Sequence, residues 1–188
     1  GFCCLYSKSN IKRGVKVFLL GLGITVVTVV FIPSQAIYFG ILHFMGVSML
    51  LFEAVKRWLD KRNPYIMLFV FTAVFFLTFR MRMGYLALPF GARIEIPSGA
   101  YHFWLAPLGL PGAGFASSDY FPLLPWFTLF LVGAMLGAMV QNRTLPAGLH
   151  ITRSRALSAV GKRSLPIYLL HQPLIYLLLW VVLPLIKV

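Results

Sequence analysis

Apolar runs of bilayer length, separated by short basic clusters, limit what this chain can fold into. A hydrocarbon core of about 30 Å takes roughly 20 apolar residues as helix. Runs of that order cover residues 15–32, 36–55, 65–79, 121–140 and 165–186. The third is short and must tilt little or extend toward Leu88. Period-2 alternation is absent, so barrel strands are not expected. Only 11% of the 188 residues are charged and 60% are hydrophobic, whereas a soluble domain carries about 25% charged residues. That deficit excludes a disordered chain, a secreted disulfide scaffold and a soluble enzyme. The expected fold class is all-α: a polytopic transmembrane bundle of five spans in one domain, residues 1–188, with the lipid bilayer as partner.

The charges then orient the spans. Lys8, Lys12, Arg13 and Lys16 flank the first run. Lys56, Arg57, Lys61 and Arg62 fill the second–third connection, and Arg143, Arg153, Arg155, Lys162 and Arg163 fill the fourth–fifth. These fall on one side if the helices alternate, leaving Arg80, Arg82, Arg93 and Lys187 on the other. The excess is a positive-inside signal. It predicts a cell-membrane protein whose basic loops are cytoplasmic, with residues 80–120 and the C-terminus outside. Much of the net +13 is therefore topological, with a further pull on anionic lipid, and does not point to nucleic acid.

Gly1–Tyr6 (GFCCLY) is apolar and runs into polar Ser7–Arg13. It reads as the last turns of a membrane helix that begins upstream, which makes this chain an N-terminally truncated fragment. The outer loop, residues 80–120, is rich in Gly and Pro and carries Tyr101, His102, Phe103 and Trp104. That aromatic content predicts a loop folded back onto the bundle. Asp119, just before Pro122, is expected to cap the fourth helix. Gly133 and Gly137 form a GxxxG face suited to packing inside the bundle. Cys3 and Cys4 read as core-lining thiols, and no metal-ligand spacing occurs.

Polar residues at membrane depth are costly and tend to be functional. His43 lies about a third of the way into the second run. It reads either as a packing histidine or as an acid–base or substrate-binding group. His171, in LPIYLLHQPLIY, stands beside Gln172 and Pro173. It reads either as part of a hydrogen-bonded kink or as a functional group. Asp119 either caps or orients a histidine or sugar hydroxyl. Glu53 is expected to pair with Lys56 or Arg57, and Arg80 and Arg82 to snorkel to the outer interface.

Three segments carry a resemblance: YFGILHFMGVS (Tyr38–Ser48), SDYFPLLPWFTLFLVGAMLG (Ser118–Gly137) and GKRSLPIYLLHQPLIYLL (Gly161–Leu178). Together they resemble the heparan-alpha-glucosaminide N-acetyltransferase catalytic-domain family, in its bacterial branch. The last is also similar to the closing helix of the wider transmembrane acyltransferase superfamily. The resemblance implies a membrane-bound acetyltransferase that passes an acetyl group from cytosolic acetyl-CoA to an extracytoplasmic sugar or glycolipid acceptor. It also implies that the family's catalytic histidine sits on an earlier helix, so that role is not carried onto His43 or His171. On this reading His171, His43 and Asp119 are the candidate catalytic-site residues. Arg153, Arg155, Lys162 and Arg163 are candidates for the acetyl-CoA phosphates. Two other classes stay open: a transporter or permease, which predicts a deep carboxylate or an inverted repeat, and a non-catalytic scaffold. A homo-oligomer is compatible with any of the three.

Overall fold

The computed structural model describes residues 1–144 and 155–186, the latter with only part of their side chains. The chain divides into two compact units, Gly1–Leu145 and Pro146–Val188.

In the first unit, α1 (Asn10–Phe31) opens on Ser9, whose hydroxyl accepts from the Lys12 amide. It begins five residues before the apolar run because Ser9 supplies the cap and the basic first turn is soluble. Leu19, Leu20, Val26, Val27 and Val30 are exposed along it. Such a continuous apolar surface suits lipid, not water. Its other side meets α2 (Ile41–Leu59). The approach is close because both helices present glycine: a Cβ at Gly46 would lie 2.7 Å from Phe18 Cβ, and one at Gly14 would lie 3.0 Å from the Gly46 carbonyl oxygen. Small residues let membrane helices approach in this way.

After a turn at Asp60–Asn63, α3 (Pro64–Thr78) starts with the Asn63 side chain accepting from the Tyr65 amide and Pro64 in the first turn. It packs on α4 (Leu123–Gln141) through Phe75 and Phe79 against Trp126. α2 reaches α4 through Phe52 and Phe130, whose ring centroids are 6.1 Å apart. The core is this aromatic and methionine layer, with Phe52, Leu131, Ala134 and Met135 buried. The GxxxG face of α4 is occupied from within the chain. Phe2–Cys4 forms one 3₁₀ turn, and Gly133 and Gly137 face the backbone of Gly1 and Phe2. Cys4 is buried there and Cys3 is exposed.

Among the described residues, three helical segments are long and apolar enough to cross a membrane: Asn10–Phe31, Pro64–Met83 and Leu123–Gln141. The fold is otherwise not purely helical. A short antiparallel hairpin, β1 (Tyr85–Ala87) with β2 (Arg93–Glu95), pairs Leu86 with Ile94 in the 80–120 loop. The second unit holds α5 (Arg155–Lys162), which no apolar run announced, and α6 (Ser164–Ile186).

Three local expectations are corrected. Residues 36–40 are not helical; α2 starts at Ile41 and continues to Leu59, past its charged residues. His43 is thus in the first turn of α2. Asp119 does not cap α4, whose N-cap is Pro122 with no side-chain bond. Its carboxylate accepts instead from the Ile41 amide at 2.9 Å, which places it at the start of α2. Glu53 does not pair with Lys56 or Arg57; it accepts from the buried Asn10 amide at 2.9 Å. That amide also donates to the Cys4 carbonyl at 2.9 Å, which ties the first residues, α1 and α2 together.

Candidate functional site

One end of the first unit is assembled by the connection between α1 and α2. Beyond one 3₁₀ turn, Pro33–Gln35, this segment has no helix to satisfy its backbone amides and carbonyls. Two threonines one turn apart on α1 take over. Thr25 donates its hydroxyl to the Ile37 carbonyl at 2.6 Å, and the Ile37 amide donates to the Thr28 hydroxyl at 3.1 Å. Residues 36–39 then zip onto the end of the outer loop. The Ser118 amide donates to Ala36, the Tyr38 amide to the Ser117 hydroxyl, and the Phe121 amide to Phe39. Asp119 completes the join at the α2 N-terminus. A carboxylate there accepts an orphan amide and meets the positive end of the helix dipole.

His43 packs just below this junction and is 3% exposed. Its Nε2 lies 3.3 Å from the Thr25 hydroxyl oxygen. The Thr25 proton is committed to Ile37, so the ring nitrogen donates and Nδ1 carries the lone pair. Among the described residues Nδ1 has no hydrogen-bond partner, and it faces Gly21, where a Cβ would sit 3.0 Å from it. Phe18 meets the ring edge-on and Phe39 stacks on it. The structure thus brings His43 and Asp119 to the same end of α2.

A cleft of about 530 Å³ opens at this end. Pro33, Ser34, Ala36 and Tyr38 form one wall; Phe103 and residues 113–118 form the other. Neither His43 nor Asp119 is among its lining residues. The 80–120 loop folds back as expected from its aromatics. Tyr101 donates to the Met81 carbonyl and Tyr120 to the Ala106 carbonyl, both at 2.6 Å. Phe115 joins Tyr38, Phe103 and Tyr120 in one ring cluster. Arg82 lies over the Tyr120 ring, 4.7 Å from its centroid. Burial pushes the Tyr120 phenol up to about 12, against the opposing pull of that guanidinium. Trp104 stays 85% exposed, as an interfacial residue would.

Sequence reasoning missed Thr25, Thr28, Tyr38 and Ser117. Two threonines at i and i+3 in an apolar helix were the available signal for the first pair. Nothing local marks the second pair, whose partners are 79 residues apart.

At the other end of the first unit, Leu5, Phe52, Leu59, Asp60, Arg62, Pro64, Met135, Ala138, Gln141 and Asn142 line a smaller cleft of about 270 Å³. In the second unit, His171 is half-buried, and its Nδ1–H donates to the Tyr168 carbonyl one turn back. That bond leaves Nε2 as the basic nitrogen of the neutral ring. Lys162 and Arg163 are exposed at the α5–α6 junction. Arg153 and the side chains of Arg155, Gln172 and Pro173 lie outside the described residues. No cluster of three or more His, Cys, Asp or Glu that could hold a metal occurs among the described residues.

No curated protein and no solved structure matches the chain. A family model does, over residues 3–173, and its description is "Heparan-alpha-glucosaminide N-acetyltransferase, catalytic". The match runs from the 3₁₀ turn through the outer loop to the middle of α6, and the chain belongs to the heparan-alpha-glucosaminide N-acetyltransferase catalytic family.

Proposed function

We propose that this chain is part of a multi-pass acetyltransferase that moves an acetyl group from cytosolic acetyl-CoA to a sugar or glycolipid acceptor outside the membrane. The observation that carries the reading is the family match over residues 3–173. In this proposal α2 and α6 join the three apolar segments as spans, and the basic ends at Lys8–Lys16 and Lys56–Arg62 are cytoplasmic. The ends at 33–40 and 80–120 then face the acceptor.

The chemistry sets what the residues must do. The acceptor O–H or N–H loses its proton to a base as its oxygen or nitrogen attacks the thioester carbonyl. The tetrahedral oxyanion needs hydrogen-bond donors, and CoA leaves as a thiol after regaining a proton. His171, with Nε2 free to accept, is suited to proton transfer. His43 and Asp119 support the acceptor end: Asp119 fixes the start of α2, and His43 locks α2 to α1 through Thr25. Lys162 and Arg163, with Arg153 and Arg155, supply positive charge for the CoA phosphates.

The test uses the full-length protein in membranes, supplied with labelled acetyl-CoA and membrane glycans. Label should appear on glycan, and His171→Ala should lower transfer by at least about a hundredfold if it moves the proton. Transfer unchanged in both His171→Ala and Asp119→Ala would remove these residues from the site.

A further inference from the structure

We propose that the smaller cleft, at the end of the first unit that carries Lys56–Arg62, binds the headgroup of a zwitterionic phosphoethanolamine lipid. This goes beyond the acetyltransferase reading and does not depend on it. Three helices end or begin at the cleft: α2 stops at Leu59, α3 starts at Pro64 and α4 stops at Gln141. All three residues line it. The helix dipoles therefore bring the negative ends of α2 and α4 and the positive end of α3 to one place. Two side chains sharpen that division. Asp60 and Arg62 both line the cleft and both are exposed. Among the described residues neither takes part in an ion pair, so the two charges share the cleft without neutralising each other.

A phosphoethanolamine headgroup carries the complementary pair, a phosphate and an ammonium a few bonds apart. The Arg62 guanidinium lies over the Trp58 ring, 5.1 Å from its centroid. That contact holds the guanidinium by its face and leaves its N–H edge for a phosphate. Asp60 and the Asn142 side-chain carbonyl can accept from the ammonium, which has three N–H groups to place. An anionic lipid is also drawn by Lys56, Arg57 and Lys61. It would set its phosphate beside Asp60 with no positive group of its own to offset the repulsion. Coenzyme A brings phosphates and no ammonium. It is also too large, since about 270 Å³ is below the range of roughly 300–1,000 Å³ of small-molecule sites. The apolar part of a lipid has surface as well. Buried Phe52, Leu59 and Met135 line the cleft, and α3, starting there, exposes Ile66 and Phe69. Trp58 is half exposed, as befits a residue at headgroup level.

Lipid binding to the full-length protein in detergent, counted by native mass spectrometry, tests this without any acetyl transfer. The probes are dioleoyl phosphatidylethanolamine and dioleoyl phosphatidylglycerol. The ethanolamine lipid should bind at least about tenfold tighter. Asp60→Asn should remove that preference and leave phosphatidylglycerol binding equal or stronger. Arg62→Gln should weaken the ethanolamine lipid about tenfold. Lys61→Gln, an exposed neighbour that does not line the cleft, should change it less than about twofold. All three positions are exposed, so melting temperatures should match the parent. Soluble phosphoethanolamine, which lacks acyl chains, should bind at least about a hundredfold more weakly than the lipid. Phosphatidylglycerol binding as tightly as the ethanolamine lipid, or an unchanged preference in Asp60→Asn, would overturn the proposal in favour of general attraction to basic residues. Displacement of the lipid by coenzyme A would overturn it in favour of a donor site, and equal binding of soluble phosphoethanolamine in favour of a soluble ligand.

Discussion

Gly46→Ala should loosen the α1–α2 pair. The added Cβ would stand 2.7 Å from both Phe18 Cβ and Phe18 N, and 2.9 Å from the Gly14 carbonyl oxygen. Two of these three atoms are backbone, so no side-chain rotation relieves the contact and the helices must part. Overpacking of this kind costs about 1–3 kcal/mol. Alanine returns up to about 1 kcal/mol through its better helix propensity. The net loss should therefore be about 1–2 kcal/mol. Gly14→Ala meets Gly46 O at 3.0 Å and the flexible Leu50 side chain at 3.2 Å, so it should lose less. Gly23→Ala, with nothing within 4 Å, should gain about 0.5–1 kcal/mol. Reversible unfolding in mixed detergent micelles reads all three under one condition. The ordering is the test: Gly46→Ala at or above parent stability, or Gly23→Ala losing as much as Gly46→Ala, would refute contact-distance packing of α1 on α2.

Asp119→Ala should destabilise by about 0.5–2 kcal/mol, since the Ile41 amide loses its carboxylate, and Asp119→Asn should recover part of this; melting of the purified variants measures both. Asn10→Ala should cost about 1–3 kcal/mol, because Glu53 and the Cys4 carbonyl both lose their donor. Denaturant titration of Asn10→Ala beside Lys12→Ala, an exposed neighbour, separates that effect from surface change. Tyr120 has a folded pKa raised from 10.0 to about 12. Its folded form holds the phenol proton more tightly, so this contribution to stability is complete below about pH 10 and falls away between about 10 and 12. Melting against pH should show that decline in the parent and a smaller one in Tyr120→Phe.

Length and hydropathy located the helices whose outer faces need lipid, because a run of Leu, Val and Phe of that span has few other uses. The same signal failed at residues 36–40. Those residues are apolar too, but Ile37 is held by Thr25 and Thr28 and Phe39 by Phe121, so they form an extended join. The hairpin at 85–95 escaped notice because three-residue strands show no usable period. Asp119 was assigned to the nearest helix start, whereas its partner Ile41 is 78 residues away. One sequence records what a residue can do but not which distant amide it meets. Glu53 shows the same limit, since Lys56 and Arg57 were adjacent and Asn10 was the partner. The GxxxG face was legible as packing, but its occupant, the backbone of Gly1 and Phe2, was not. His171 was legible as a candidate from its setting, and its tautomer only from the Tyr168 bond.

The central claim is transfer of acetyl from one side of the membrane to a sugar on the other. Sealed vesicles holding the full-length protein, with labelled acetyl-CoA confined to the cytoplasmic side and membrane glycans confined to the opposite side, test it directly. The account predicts label on the glycan, lost when donor and protein are separated. Unlabelled glycan, with both substrates present and the protein folded, would contradict it.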